Sequence, residues 1–172
     1  MVRVRRMTEA DADAVAAVRV AGWRTAYRGL MPQAYLDAMD PAVGAARHRT
    51  VLASGTDPVV DLVAEAADGV VGWACSGPCR DADLPAATDE LYALYVRPDL
   101  IGTGVGRALY AAALQGARER GAMRQALWVL RDNARARRFY EHAGLAADGA
   151  ERVEPVGGAP VTEVRYVRVC AV

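Results

Sequence analysis

Two rhythms of apolar and polar residues run along this chain: alternation, which marks strands, and spacing of three and four, which marks helices. Val2 to Arg6 alternates valine with arginine and predicts a short strand. Thr8 with Asp11 three residues on opens a helix like a capping box, with Val15, Val18 and Gly22 inward. That helix runs out into A-G-W-R-T-A-Y-R-G-L-M-P at 21–32, and short helices are expected at 33–39 and 41–54. P-V-V-D-L-V-A-E-A (58–66) and V-V-G-W-A-C-S (70–76) read as strands joined at the turn signal Asp68-Gly69. A polar loop follows at 77–89. E-L-Y-A-L-Y-V (90–96) is a third strand of this section, stopped by Pro98, which has no N–H for a ladder. From Val105 the helical spacing Val105, Leu109, Ala112, Gly116 begins, and Gly121 closes that helix. Q-A-L-W-V-L (125–130) is a buried strand. Asp132 or Asn133 caps a helix with Ala136, Phe139, Tyr140 and Ala143 on one stripe and Gly144 past its end. The tail holds one β-rich segment, V-T-E-V-R-Y-V-R-V, after a Gly157-Gly158 turn.

The strand, helix, strand unit across 90–130 requires parallel pairing with a crossover, while the preceding strands read as antiparallel. The class is mixed α/β (α+β): a single central mixed sheet with helices on both faces, in one domain over residues 1–172. The most informative stretch joins the 90–96 strand to the next helix through Gly102, Gly104 and Gly106. Glycines let backbone approach a ligand closely, and a helix starting there presents unpaired N–H groups to an anion. The Walker pattern fails, because Gly106 is followed by Arg107-Ala108. The dinucleotide fingerprint counted from Gly102 fails at Arg107. A pyrophosphate cradle and an ordinary tight connection both remain open on the residues alone.

Charge and composition narrow the function. Basic and acidic residues balance at 21 each, every basic one an arginine, which argues against nucleic acid as partner. No stretch is long and apolar enough to span a bilayer, and no secretory pattern opens the chain, so a cytoplasmic protein with no membrane partner is expected. Cys75, Cys79 and Cys170 make no disulfide framework, and with His48 and His142 they do not form a metal set, so no metal is expected. Trp23 and Tyr27, four apart, are either a packed helical face or one wall of a substrate pocket. Cys75 has no histidine partner in sequence and reads as a small buried strand residue.

Three blocks make the chain similar to the GNAT superfamily of acyl-CoA-dependent N-acetyltransferases: E-L-Y-A-L-Y-V-R-P-D-L-I-G-T-G-V-G-R-A-L (90–109), L-W-V-L-R-D-N-A-R-A-R-R-F-Y-E-H-A-G-L (127–145) and W-R-T-A-Y-R-G-L-M-P (23–32). The resemblance covers nearly the whole chain. It implies acetyl-CoA as co-substrate and a pyrophosphate loop of the form Gln/Arg-x-x-Gly-x-Gly/Ala. That loop falls on Ile101, Gly102, Thr103, Gly104, Val105 and Gly106, followed by Arg107, with Ile101 departing from the pattern. It also implies that the pantetheine arm pairs with Leu94, Tyr95 and Val96, that Asn133 and Ala136 lie at the coenzyme, and that Tyr140 is the general acid. A phenol near the sulfur protonates the expelled thiolate. Glu90 is the matching base candidate, acting through water, or else a strand-end carboxylate. Tyr92, sharing its strand face, joins Trp23 and Tyr27 at the acceptor site.

The expected reaction is direct transfer of acetyl to a primary amine, a small molecule or a peptide N-terminus, in a ternary complex. The alternatives are a non-catalytic acyl-CoA-binding module, or the same fold with a longer acyl donor. A homodimer is expected by fold analogy.

Overall fold

The computed structural model describes residues 2–55 and 58–170. Among them the chain runs β1 (Arg3–Arg6), α1 (Ala12–Ala26), α2 (Gln33–Asp37), α3 (Pro41–Ser54), β2 (Val60–Ala66), β3 (Gly69–Pro78), β4 (Thr88–Val96), α4 (Val105–Glu119), β5 (Arg124–Leu130), α5 (Ala134–His142), β6 (Ala146–Val156) and β7 (Ala159–Val169). The strands form one sheet in the order β1-β2-β3-β4-β5-β7-β6. Only β4 and β5 are parallel; the other neighbouring pairs are antiparallel. The mixed sheet predicted from sequence is therefore present.

Helices cover both faces. On one, Val105, Leu109, Ala113 and Leu114 of α4 pack with Leu91, Leu127, Val129 and Tyr166 of the sheet. On the other, Val15 and Ala16 of α1 and Ala45 of α3 pack with Val63 and Trp73. The α4 stripe is rotated from the one read in sequence. Ala113, Leu114 and Ala117 are buried, whereas Ala112 and Gly116 are only half-buried. Leu109 and Tyr110 set the facing direction because they carry more apolar area than alanines.

Two expectations change in detail. α1 continues through Ala26, so Trp23 and Arg24 are helical. The tail carries two long strands, β6 and β7, joined at Gly157-Gly158. β6 escaped the pattern because it is charged and mostly exposed, so neither face shows an apolar period.

Two irregularities prepare the site. β3 pairs with β4 as Cys75 with Ala93 but Ser76 with Leu91, leaving Tyr92 as an extra residue in a bulge. The bulge flips the alternation, so Leu91 and Leu94, three apart, both join the α4-side core while Ala93 and Tyr95 join the α1 side. Secondly, β4 and β5 pair only at Thr88–Arg124, Asp89–Gln125 and Glu90–Ala126. Beyond those three pairs the two central strands part.

Candidate active site

The parting of β4 and β5 opens a cavity of about 670 Å³. Its walls are residues 91–96 of β4 and 128–130 of β5. Leu100 to Gly104, Gly106 and Arg107 line it from the α4 side, together with Asn133, Ala136, Phe139 and Tyr140 of the α5 region. Gly22, Ala26 and Tyr27 line it from the end of α1, and Glu163 from β7. Residues from both faces of the sheet contribute, so the cavity passes through it.

The α4 end is built to receive an anion. Gly102 (φ +85°) and Gly104 (φ +96°) hold left-handed conformations that disfavour other residues. The first hydrogen bond of α4 runs from Ala108 N to Gly104 O at 3.0 Å, so the N–H groups of residues 105–107 have no partner within the helix. No side chain caps it among the described residues. Three orphan donors and a positive dipole end at one loop favour an anionic group such as a phosphate. Thr103 braces the loop, donating from Oγ1 to Leu100 O at 2.7 Å. Val105 turns its side chain into the core at 3% exposure, so only its backbone serves the loop. Ile101 lies on the rim, 39% exposed, where it leaves the backbone donors untouched.

α5 is positioned from both ends. Asn133 Oδ1 accepts from Ala136 N at 3.1 Å and caps the helix. Further along, Arg137 Nε donates to Tyr166 Oη at 2.9 Å, and Tyr166 Oη donates to Glu141 at 2.7 Å, pinning α5 to β7. Tyr140 is thereby held on the cavity wall against Phe139 and Tyr110, ring centroids 5.2 and 6.5 Å away. Burial pushes its phenol well above the ordinary tyrosine value, with Tyr27 and Tyr110 adding to the effect. It is a phenol that stays protonated.

At the α1 end, Tyr27 and Tyr95 share a hydrogen bond between hydroxyls at 3.2 Å. Burial raises both phenols. Trp23 packs edge-on against Tyr27, ring centroids 5.0 Å apart, but does not line the cavity. Of the two readings of that pair, Trp23 takes the packed face and Tyr27 the pocket wall.

Glu90 is placed differently from its sequence expectation. It is 1% exposed and does not line the cavity. Arg80 engages both of its oxygens: Nη2 to Oε1 at 2.6 Å, and backbone N and Nε to Oε2 at 3.0 and 3.1 Å. Arg80 also lies over the Tyr92 ring, 4.3 Å from its centroid. Tyr92, which does line the cavity, donates to the Pro78 carbonyl, and burial followed by the Glu90 charge pushes its phenol up to about 12. Glu90 thus orders the 79–87 loop. Sequence reasoning missed Glu163 and Trp128, both on the wall. The available signal was slight: Glu163 is a carboxylate set among the β-branched Val161, Thr162 and Val164.

No cluster of metal-ligating side chains occurs among the described residues, and none of their helices is long and apolar enough to cross a membrane.

Known proteins resemble this chain in sequence and in fold. The family model for acetyltransferases of the GNAT family matches residues 21–145. An uncharacterized N-acetyltransferase of Archaeoglobus fulgidus is 34% identical over 83% of this chain and 91% of its own. A mycothiol acetyltransferase of Beutenbergia cavernae is 52% identical over 60 residues, 35% of this chain but only a fifth (20%) of that enzyme. Among solved structures, the PaiA N-acetyltransferase of Thermoplasma acidophilum in complex with coenzyme A superposes with a TM-score of 0.74 over 98% of this chain and 99% of its own, at 18% identity.

Proposed function

The chain belongs to the GNAT acetyltransferase family and is an acetyl-CoA-dependent N-acyltransferase, and on that premise we propose how its own residues divide the work. Acetyl-CoA enters from the α4 side. Its pyrophosphate takes the N–H groups around Gly104 and Gly106, with Gly102, Thr103 and Arg107 shaping the loop. Its pantetheine arm lies along Leu94, Tyr95 and Val96, whose facing strand has moved away. Asn133 and Ala136 flank it from α5. The acceptor, a small-molecule amine or a peptide N-terminus, enters from the α1 side between Tyr27 and Tyr92, with Trp23 behind Tyr27.

Tyr140 is the acid. Amine attack on the thioester carbonyl expels the sulfur; the phenol gives its proton to that sulfur and takes one back from the nitrogen that attacked. One observation carries this reading: the uncapped glycine start of α4 and the Tyr140 phenol open into the same cavity between the parted strands. Glu90 supports the acceptor side by holding Arg80 over Tyr92. Three free cysteines suit a reducing cytoplasm. We take a homodimer as the working assembly on fold analogy alone.

The first test is thermal shift with acetyl-CoA, coenzyme A, ATP and NAD, followed by thiol release with an amine panel. A ligand at about 100 times its Kd stabilises by about 2.7 kcal/mol. The two coenzyme A compounds raise Tm and the others do not. Equal shifts with ATP, or none at all, overturn the assignment of the loop.

A further inference from the structure

The reaction starts from an ammonium, and an ammonium has no lone pair to attack with. Some group has to take a proton from it inside the cavity. Glu90 has both oxygens engaged by Arg80, and its carboxylate is 2% exposed.

The geometry points to Glu163 of β7 as the carboxylate that receives the acceptor's ammonium and takes its first proton, with Arg152 as the positioning residue that holds it; this rests on the acyltransfer reading above. Glu163 lines the cavity. It sits across from Leu130, at the parted end of β5. Arg152 Nε and Nη2 both approach Oε2, each at 2.7 Å. No bond to Oε1 is made among the described residues, so one oxygen is held and the other is open. The side chain is 18% exposed, enough for a ligand to reach and too little for bulk hydration. Around that position the walls are aromatic. Trp128 lines the cavity with Arg152 lying 4.4 Å from its ring centroid, and Tyr27 is close enough for Glu163 to raise its phenol. A carboxylate oxygen beside aromatic faces is the chemistry that recognises an alkylammonium.

The charged and titratable groups around Glu163 are Arg152 of β6, whose other carboxylate neighbour is Glu154 at 3.7 Å, and Tyr27 at the end of α1. On its own strand Arg165 is already committed to Asp81, Asp83 and Asp148. The facing β5 positions, Trp128 and Leu130, carry no charge.

The step balances. Glu163 Oε1 takes one proton from R–NH3+ and leaves R–NH2. The nitrogen lone pair forms the N–C bond, the C–S bond breaks, and the Tyr140 proton goes to sulfur. Tyr140 regains a proton from the nitrogen, and the proton on Glu163 passes to solvent. Per turnover the products are the amide, coenzyme A thiol and one proton.

The test compares two acceptors by thiol release from acetyl-CoA. Phenethylamine is an ammonium at about pH 7 and is substantially neutral at about pH 10. Hydroxylamine is already neutral at about pH 7 and needs no first deprotonation. Glu163→Gln keeps the shape of the side chain. The expected result is a loss of about 10²-fold or more in kcat/KM for phenethylamine at about pH 7, recovering at about pH 10, with the hydroxylamine rate and acetyl-CoA affinity retained. Arg152→Met removes the cation beside Glu163, so the acid limb of the phenethylamine profile moves to higher pH. That shift is readable even if Glu163→Gln does not fold.

Equal loss with both amines, or no loss with either, overturns the proposal. So does an unmoved limb in Arg152→Met. A wild-type enzyme that acetylates hydroxylamine but not phenethylamine at either pH overturns the proposal and leaves the acyltransfer reading standing. A wild-type enzyme that releases thiol to neither overturns both.

Discussion

Single atoms decide much of this site. A Cβ placed on Gly22 lies 2.9 Å from Tyr95 Cδ1 and 3.2 Å from its Cβ, so glycine there lets α1 approach the ring that meets Tyr27. Gly22→Ala is expected to push Tyr95 away, cost about 1–3 kcal/mol and lower Tm by about 2–4 °C per kcal/mol. A melt unchanged from wild type would show that the ring has room to move. Tyr140→Phe removes one hydroxyl and no packing. The expected outcome is kcat lower by about 10²-fold or more with acetyl-CoA affinity intact, read by thiol release and calorimetry. A wild-type rate assigns the acid elsewhere.

Among elements, the glycine start of α4 is the most exacting. Gly104 at φ +96° has space for a methyl group, its nearest neighbour being Arg107 Nη2 at 3.8 Å. The cost of Gly104→Ala is therefore backbone strain, about 1–2 kcal/mol, together with weaker acetyl-CoA binding as the N–H groups re-aim. Calorimetry separates the two, since a stability loss with unchanged affinity would mean the cradle is not used.

How far the sequence reveals each element follows from what that element buries. The 105–119 helix and the 90–96 strand are legible because their apolar positions keep a period and glycine or proline ends them. β6 is not, because an exposed strand held by backbone bonds to β7 has no period to read. The site divides the same way. Eight of the expected site residues, from Gly102 through Tyr140, are set by local chain geometry, and they meet at the cavity. Glu163 reaches it only because β7 inserts between β5 and β6, a long-range pairing that no local window encodes. Glu90 stands on the expected strand, and its partner Arg80 comes from a loop whose path the pattern leaves open.

In the whole molecule, ion pairs join segments distant in sequence. Arg165, with its side chain 7% exposed, binds Asp81, Asp83 and Asp148 at 3.2, 2.7 and 2.8 Å, tying the 79–87 loop and β6 to β7. Trp128 Nε1 adds a bond to Asp81 at 2.9 Å. Arg165→Met leaves these carboxylates without their cation. Destabilisation of about 1–3 kcal/mol is expected, with the acceptor KM rising more than that for acetyl-CoA. At the other end Arg5 joins β1 to Asp11 and to Glu65 of β2, and Thr8 N and Oγ1 donate to Asp11 as well. Hydrogen bonds from Arg5 hold the Asp11 carboxyl well below the usual carboxylate range. Its folded value lies under the roughly 3.9 of an unfolded chain. This stabilisation is therefore complete above about pH 4 and fades as pH falls through the folded value. The Tm gap between wild type and Asp11→Asn should narrow on acidification; a gap constant with pH would remove Asp11 from the acid response.

The parted strands have a consequence for handling the protein. Past Glu90 and Ala126 the facing margins of β4 and β5 are two unzipped sheet borders in the middle of the molecule, where most proteins keep none. Such borders invite foreign strands, and elsewhere they are blunted by charge or proline. Here the border runs through Leu94, Tyr95 and Val96, with neither. Under the proposed pairing of the pantetheine arm with this border, coenzyme is a protective seam as well as a reactant. Amides of 93–96 should exchange with deuterium more slowly in its presence, and ligand-free stocks should be the first to precipitate on concentration.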